Sequence, residues 1–196
     1  MKKVLLILSL CPILCLAQTN EVIKQTFDKL SKQTLQSDFT ITITEKANQP
    51  TSFTGSITMC GEKFRANLMG MEVAFDVKTL YTYSEDMNEL TLSNPLKEEL
   101  TDINPLLFAK AIYESCQSQV REHNGSYVIS LVPTTAGTGV KDFVLTINKA
   151  DLLPQSAVMR QSDMTTTKIV FRNAKYTSTK TEYTISQPGA YINDLR

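Results

Sequence analysis

The sequence predicts a mainly β protein of the α+β class, in which about 11 strands form one large antiparallel sheet that curls toward a barrel. Two observations indicate this class. Runs of alternating apolar and polar residues follow one another along most of the chain, and clusters of turn-forming residues separate them. Only two segments have the apolar spacing of a helix. The 196 residues fit a single domain, preceded by a short segment of different character.

The N-terminal segment, residues 1–17, has the pattern of a cleaved signal peptide. Two lysines precede an apolar run over residues 4–10, and Cys-Leu-Ala at residues 15–17 forms a small-x-small cleavage site. A membrane helix needs about 20 apolar residues. This run is shorter, and Pro12 interrupts it. We therefore expect export of the chain and a mature domain over residues 18–196.

Charge and cysteine content restrict the class of function. Removing the two lysines from the 20 basic residues leaves 18 against 20 acidic ones, a formal charge of −2, which argues against nucleic acid as a partner. Cys11 and Cys15 both follow leucine, so a lipid-modified N-terminal cysteine is the less favoured alternative. The mature domain keeps Cys60 and Cys116, which an oxidising compartment would allow to pair. We favour two buried free thiols and leave the disulfide open.

A short helix is expected at the start of the mature domain. Asn20 is a suitable N-cap, and Ile23, Phe27 and Leu30 recur at spacings of four and three. This spacing places the three side chains on one apolar stripe. The helix must therefore pack its stripe against another element.

The next part of the chain has the pattern of a meander of strands. Period-two alternation is clearest over residues 39–44 and 53–59, where threonine or serine residues separate the apolar ones. Gly70 lies between two alternating runs and predicts a hairpin. Strands over residues 80–83 and 89–93 flank a polar cluster that is typical of a longer hairpin loop.

The second half contains a helix followed by more strands. Asn104 before Pro105 is a cap with proline at the first helical position, so we expect a helix that ends at about Cys116. Most sides of this helix are apolar, and it must therefore be covered on most sides. Further strands are predicted over residues 127–132, 140–147, 155–161, 165–176 and, at the end of the chain, 182–186.

The sequence contains little that supports catalysis. His123 is the only histidine and lies beside Asn124-Gly125 in an expected turn. A Ser-His-Asp triad or a multi-histidine metal site therefore has few candidate residues. The sequence contains no glycine-rich phosphate loop. We expect a binding function, with no enzyme activity, no cofactor and no metal.

The apolar strand faces indicate what is bound. An acyl chain of about 15 methylenes costs about 12 kcal/mol to expose to water, because each methylene contributes about 0.8 kcal/mol. An incomplete barrel would shield such a chain. The inward set that we expect is Phe39, Ile41, Ile43, Phe53, Ile57, Met59, Phe64, Leu68, Met71, Val73 and Phe75. The expected lid residues on the second helix are Leu106, Phe108 and Ile112. The alternative is a solid core between sheet and helices, which alternating apolar residues usually form.

Several motifs resemble those of the LolA family of outer-membrane lipoprotein carriers, in the family's order. Residues 77–83, Val-Lys-Thr-Leu-Tyr-Thr-Tyr after Asp76, resemble the family's aspartate, lysine-threonine-leucine, aromatic-x-tyrosine segment. Residues 88–91 and 104–107 resemble its next hairpin strand and its central helix. The remaining similar segments are residues 127–133, 140–147, 154–158, 167–171 and 194–196. The resemblance spans nearly the whole mature chain.

The resemblance implies an unclosed barrel covered by helices and a periplasmic carrier that catalyses no reaction. Such a carrier takes a triacylated lipoprotein from an inner-membrane lipoprotein-releasing transporter to an outer-membrane receptor. We expect it to be a monomer. The alternative function is a periplasmic binder or sensor of another lipid or glycolipid on the same fold, without lipoprotein transfer.

This sequence departs from the best-known branch of the family in two respects. It contains no tryptophan, of which that branch has several. Residues 60–64 also lack the Arg-Pro pair that precedes the corresponding strand in that branch, where the arginine helps to hold the lid closed. Arg65 has the wrong strand parity to replace that arginine. Lid control by that arginine therefore cannot be carried over to this sequence, and the residues that control the lid stay open.

Overall fold

The computed structural model describes most of the chain. The described residues are 11–46, 48–96, 99–100, 104–135, 137 and 139–196, and the side chains of residues 11–20, 105 and 108 fall outside this description. Residues 1–10 of the expected signal peptide also lie outside the described residues, so the signal peptide stays a prediction.

The structure combines a twelve-stranded sheet with helices near the start and the middle of the chain. The helices whose bounds lie within the described residues are α1 (Cys11–Lys32) and α2 (Pro105–Ile112), and a 3-10 turn (Tyr113–Ser115) follows α2. The strands are β1 (Thr34–Thr44), β2 (Thr51–Cys60), β3 (Lys63–Leu68), β4 (Met71–Phe75), β5 (Leu80–Ser84), β6 (Glu89–Ser93), β7 (Cys116–His123), β8 (Ser126–Pro133), β9 (Val140–Asn148), β10 (Pro154–Gln161), β11 (Thr166–Thr177) and β12 (Tyr191–Asp194).

All twelve strands belong to one open sheet. The strand order is β12-β6-β5-β4-β3-β2-β1-β11-β10-β9-β8-β7, and the neighbouring strands are antiparallel except β12, which runs parallel to β6. The sheet thus consists of two meanders, β1–β6 and β7–β11, which meet where β1 pairs with β11. We call this junction the seam. The predicted curved antiparallel sheet is confirmed, with twelve strands.

One side of the sheet, the concave face, is apolar across eight neighbouring strands, from β4 to β8. Cross-strand partners project from the same side of a sheet. In the first meander Ile57 pairs with Ala66, and Ala66 pairs with Val73. Across the seam Ile41 pairs with Ile169. The same side continues through β10, β9 and β8 with Ala157, Leu145 and Ile129.

Helix α1 packs its apolar stripe into the main core. Ile23, Phe27 and Leu30 are buried there together with side chains of the concave face, so the predicted stripe is confirmed. The expected N-cap at Asn20 is wrong, because the helix is continuous from Cys11 to Lys32. Among the described residues, no helix combines the length and the apolar character that crossing a membrane requires.

The hairpin predicted at Gly70 is confirmed. Strands β3 and β4 pair as antiparallel neighbours, with Leu68 opposite Met71. Met69 and Gly70 have φ angles of +56° and +74°. Two consecutive positive φ angles are the geometry of a type I′ turn, which suits the right-handed twist of the flanking strands.

Two strands differ from those that the sequence predicts. Strand β7 is missing from the prediction because its residues are mostly polar, as an edge strand allows. The predicted strand over residues 182–186 is wrong, since these residues join no ladder and the last strand is Tyr191–Asp194. Residues 182–186 instead lie on the convex face, where Ile185 is buried in a second, smaller apolar cluster. Burial of one side chain does not require strand pairing.

The C-terminal segment, residues 178–196, packs on the convex face through Arg65 as well. The Arg65 guanidinium pairs with Glu72 Oε1 at 2.7 Å and donates to the backbone oxygens of Glu182 and Thr184 at 3.4 and 3.1 Å. The predicted parity of Arg65 is confirmed, because this side chain points away from the concave face. It does not contact the helices that cover that face.

Candidate functional site

A small cavity lies on the concave face between the first meander, the seam and the start of α2. Its volume is about 90 Å³. The lining residues are Phe39, Ile41, Ile57, Phe64, Ala66, Leu68, Val73, Asn104, Leu106, Ile169 and Phe171. Ten of these eleven side chains are apolar, so we call this space the apolar cavity. It suits a hydrocarbon ligand better than a polar one.

The structure brings most of the expected hollow residues together. Seven of the expected residues line the apolar cavity: Phe39, Ile41, Ile57, Phe64, Leu68, Val73 and the lid residue Leu106. Met59 and Phe75 are buried in the main core on the same face. Ile43 and Phe53 are half-buried on that face, beyond the cavity.

The remaining three expected residues neither line the cavity nor belong to the described buried core. Met71 shares the concave face but is 43% exposed beside the hairpin at Gly70, so it lies outside the cavity. Ile112 is half-buried at the end of α2 and is not among the cavity residues. The side chain of Phe108 lies outside the described residues. The binding and lid roles of these side chains stay predictions.

Four lining residues are missing from the predicted set. They are Ala66, Asn104, Ile169 and Phe171. Ile169 and Phe171 come from β11, whose alternation is visible in the sequence but whose pairing with β1 joins distant parts of the chain. Periodicity shows which residues share a face, not which strands become neighbours. For Asn104, the sequence indicates only the role of a helix cap.

Asn104 is the polar member of the cavity lining and begins α2. Its Oδ1 accepts a hydrogen bond from the backbone N–H of Leu106 at 3.1 Å, which confirms the predicted N-cap. The residue is only 2% exposed. Its Nδ2 lies 3.9 Å from Sδ of Met59. The start of α2 is therefore anchored at the cavity by a buried amide.

The wall of the cavity around Phe39 depends on a glycine in the neighbouring strand. Gly55 lies directly opposite Phe39. A Cβ at position 55 would lie 2.7 Å from Phe39 Cζ and would also overlap the backbone oxygen of Asn67. Glycine therefore leaves the space in which the Phe39 ring lies over β2.

The segment around Asp76 that resembles the family motif forms the β4–β5 connection. The Asp76 carboxylate accepts hydrogen bonds from the backbone N–H groups of Lys78 and Thr79 at 2.9 and 2.8 Å and from the Tyr81 hydroxyl at 3.2 Å. Burial raises the pKa of this carboxyl, but the three donors outweigh burial and hold the pKa below its usual value of 3.8. Val77 within the loop has a φ of +91°. The motif thus closes a tight, well-bonded loop.

A wider cleft lies between this loop and the outer side of α2. Its volume is about 610 Å³, and its lining includes Val77, Lys78, Leu107 and Lys110. Leu106 lines the apolar cavity, whereas Leu107 lines this cleft. The first turn of α2 therefore separates the two spaces.

The described residues offer few reactive groups. Within this part of the chain, no three His, Cys, Asp or Glu side chains are placed to hold a metal ion. His123 is exposed at the end of β7, with Nε2 3.1 Å from Nδ2 of Asn124. Cys60 and Cys116 are free and half-buried, rather than fully buried as expected. Burial raises the pKa of the Cys116 thiol, which makes the reactive thiolate scarcer.

Solved structures share this architecture. An uncharacterized conserved protein from Thermus thermophilus matches with a TM-score of 0.61 at 13% identity, over 90% of this chain and 99% of that chain. A chain of the Pseudomonas aeruginosa MucA/MucB complex matches with a TM-score of 0.52 at 10% identity, over 84% of this chain and 59% of that chain. At these identities the likeness shows a common fold alone.

The sequence identifies the family more closely than these structures do. No curated protein matches the sequence. The family model described as outer membrane lipoprotein carrier protein LolA, however, matches residues 14–163, which is most of the chain. This match includes most of α1, the first meander, α2 and the segment around Asp76, and it confirms the predicted resemblance. The protein therefore belongs to the family of the outer membrane lipoprotein carrier protein LolA.

Proposed function

We propose that this protein is a periplasmic carrier that binds the acyl chains of lipoproteins in its concave hollow and takes them from the inner to the outer membrane. The observation that supports this function best is the continuous apolar concave face, which runs from β4 to β8 and includes the apolar cavity. Family membership supports the same class of cargo. The expected signal peptide supports export to the periplasm.

Shielding hydrocarbon from water would supply the free energy of binding. Full burial of an acyl chain of about 15 methylenes contributes about 12 kcal/mol. Association costs about 4–15 kcal/mol of translational and rotational freedom. A contact with only the end of the acyl chain would bury too few methylenes to offset that cost. The hollow must therefore cover most of the acyl chain.

The apolar cavity must expand to accept such a cargo. Its volume of about 90 Å³ is smaller than the roughly 150 Å³ of an engineered cavity that binds benzene. Helix α2 is the element best placed to move, because its first turn separates the cavity from the wider cleft through Leu106 and Leu107. We infer that α2 acts as the lid and that its displacement joins the two spaces. Phe108 and Ile112 keep their expected roles in this lid.

Apolar contacts, rather than an arginine, would keep this lid closed. Arg65 is engaged with Glu72 and with the C-terminal segment on the convex face. In the proposed cycle an inner-membrane lipoprotein-releasing transporter loads the carrier and an outer-membrane receptor unloads it. The carrier would act as a monomer. It would catalyse no reaction, since Asn104 is the one polar side chain among the described cavity residues and does not titrate.

A second function is binding or sensing of another lipid or glycolipid without lipoprotein transfer. One observation favours it, because residues 60–64 lack the Arg-Pro pair of the best-known carriers. The two functions require the same hollow but differ in the cargo that the purified protein retains.

Native mass spectrometry with lipid extraction tests the proposed function. We expect the mature protein, purified from the periplasm of its own host, to retain an acylated lipoprotein. Ile57→Asp should reduce the retained fraction by at least about tenfold, because it places a charge in the apolar cavity without a partner. Thr54→Asp is the matched control, since Thr54 is exposed on the opposite face of the same strand.

The outcomes separate the two functions. A free lipid or glycolipid in place of a lipoprotein would support the second function. Equal losses in Ile57→Asp and Thr54→Asp would contradict binding in the hollow. His123→Ala should retain as much cargo as the wild type, because burial rather than proton transfer drives binding.

A further inference from the structure

Asn104 is unusual because it is a buried polar side chain in an apolar cavity. The other ten described side chains that line the cavity are apolar, and Asn104 is 2% exposed. A buried amide that lacks good hydrogen bonds costs free energy. The presence of an amide at this position therefore requires an explanation.

Most polar groups of Asn104 form hydrogen bonds, either to the first turn of α2 or to the residues before it. The backbone N–H donates to the oxygen of Leu100 at 3.0 Å, and the backbone oxygen accepts from the N–H of Leu107 at 2.9 Å. Oδ1 accepts from the N–H of Leu106 at 3.1 Å. Because an N–H must face an oxygen, this last bond also determines which end of the amide is Nδ2.

Among the described residues, the Nδ2 group of Asn104 has no strong hydrogen-bond acceptor. Nδ2 carries two N–H donors, and its acceptor among the described residues is Sδ of Met59 at 3.9 Å. A thioether is a weak acceptor. Serine, threonine or aspartate would cap α2 equally well without an amide donor. Capping alone therefore does not account for this asparagine.

We propose that Nδ2 of Asn104 donates a hydrogen bond to the carbonyl oxygen of an ester-linked or amide-linked acyl chain in the hollow. This inference rests on the proposed function and names the group that the cavity recognises. A neutral carbonyl fits, because it offers the missing acceptor and brings no charge. A free carboxylate fits poorly, since the described lining residues provide no cation to balance it.

The position of Asn104 adds a consequence for the lid. The amide that contacts the carbonyl also caps the helix that covers the cavity. The hydrogen bond would therefore connect the linked end of an acyl chain directly to the start of α2. Plain hydrocarbon would fill the same cavity without making this connection.

Two measurements test the proposal on the full mature protein. The probes are methyl palmitate with a ¹³C-labelled carbonyl and heptadecane, a hydrocarbon of similar length. Competition against a fluorescent acyl probe gives both affinities, and isotope-edited infrared spectroscopy gives the carbonyl stretching frequency of the bound ester. A hydrogen-bonded carbonyl absorbs at lower frequency than the same carbonyl in a hydrocarbon solvent.

We expect the wild type to bind both probes and to lower the carbonyl frequency of the ester. Asn104→Gly removes the donor, and glycine is an acceptable N-cap. In this variant the ratio of ester to hydrocarbon affinity should fall about threefold to tenfold, the usual contribution of one neutral hydrogen bond. The frequency shift should disappear. Asn104→Ala, which removes the donor together with the side-chain cap, should give the same two results, because the ratio of the two affinities does not depend on the loss of the cap.

The two measurements distinguish failure of this inference from failure of the proposed function. Binding of both probes by the wild type, with the ester carbonyl at its hydrocarbon-solvent frequency, would overturn the role of Asn104 and leave the carrier function intact. A frequency shift that persists in both variants would overturn it equally. A wild type that binds neither probe would contradict the proposed function itself.

Discussion

Gly55 lies opposite Phe39 on the concave face, at a position where a side chain has no room. The nearest atoms are the end of the Phe39 ring and the backbone oxygen of Asn67. A ring can rotate, but the backbone of a paired strand moves only if its ladder is distorted. The shape of the cavity around Phe39 therefore depends on the missing side chain of its neighbour.

Replacing Gly55 with alanine should lower the free energy of unfolding by about 1–3 kcal/mol, because the added methyl group overpacks the contact between β2 and β3. Urea unfolding of the purified variant measures the change. Ser56→Ala, at an exposed position in the same strand, should change the stability by less than about 0.5 kcal/mol. A Gly55→Ala variant as stable as the wild type would show that β2 shifts without cost.

At the scale of single residues, the sequence predicts the cavity residues of the first meander better than those of β11. Alternation places Phe39, Ile41 and Ile57 on one face, and the structure brings these three together. Ile169 and Phe171 are absent from the predicted set, because their partner strand is set by long-range pairing. A polar residue such as Asn104 could not be placed there from hydrophobic periodicity at all.

At the scale of elements, the part of the C-terminal segment before β12 shows how an irregular stretch is held on a sheet. Residues 178–196 bury Ile185 against the convex face, and Arg65 donates hydrogen bonds to two backbone oxygens of the segment. Glu72 balances the charge of Arg65 at 2.7 Å. The hydrogen bonds from Arg65 thus take the place of some of the backbone hydrogen bonds that a paired strand would have made.

Replacing Arg65 with methionine should release this segment. We expect a loss of about 1–2 kcal/mol of unfolding free energy, the low end for charge-assisted hydrogen bonds, because the side chain is partly exposed. Hydrogen exchange should become faster in β12, whose backbone N–H groups pair with β6. Arg160→Met removes an exposed pair with Asp142 and should change stability by less than about 1 kcal/mol. Equal effects of both substitutions, or unchanged exchange in the segment, would contradict this role.

The strands that the sequence misses are those at the edges of the sheet. Central strands are covered on the concave side and alternate clearly, as β1 and β9 do. Strand β7 presents Val120 to the core, but its other residues are mostly polar because one side of the strand has no neighbour. Strand β12 is short and exposed, and its pairing with β6 is parallel. Neither edge strand needs a period-two apolar pattern to be stable.

At the scale of the whole molecule, the hollow and the core are parts of one apolar interior. The buried residues of α1, α2 and both meanders form a single cluster that includes cavity residues such as Phe39, Phe64 and Leu106. A ligand in the cavity would therefore contact the same side chains that hold the domain together. Binding and folding must be coupled.

A triacylated lipopeptide should accordingly stabilise the mature protein against unfolding. At a free concentration of 100 times its dissociation constant, the expected gain is about 2.7 kcal/mol. Thermal unfolding with and without the lipopeptide measures this gain, and the unacylated peptide is the control for headgroup contacts. Ile57→Asp should abolish the effect, and Thr54→Asp should retain it. Tight binding without stabilisation would show that the ligand also binds the unfolded chain.

The seam has a consequence for the order of events during folding. Strands β1–β6 are joined by hairpins, as are β7–β11, so each meander can assemble from contacts that are local in sequence. The pairing of β1 with β11 must wait until the chain beyond residue 166 is available, and it closes a long loop. The cavity has Ile57 on one side of the seam and Ile169 on the other. A nascent chain therefore lacks the complete cavity, and the proposed capacity to accept a lipid would arise only when the two meanders pair.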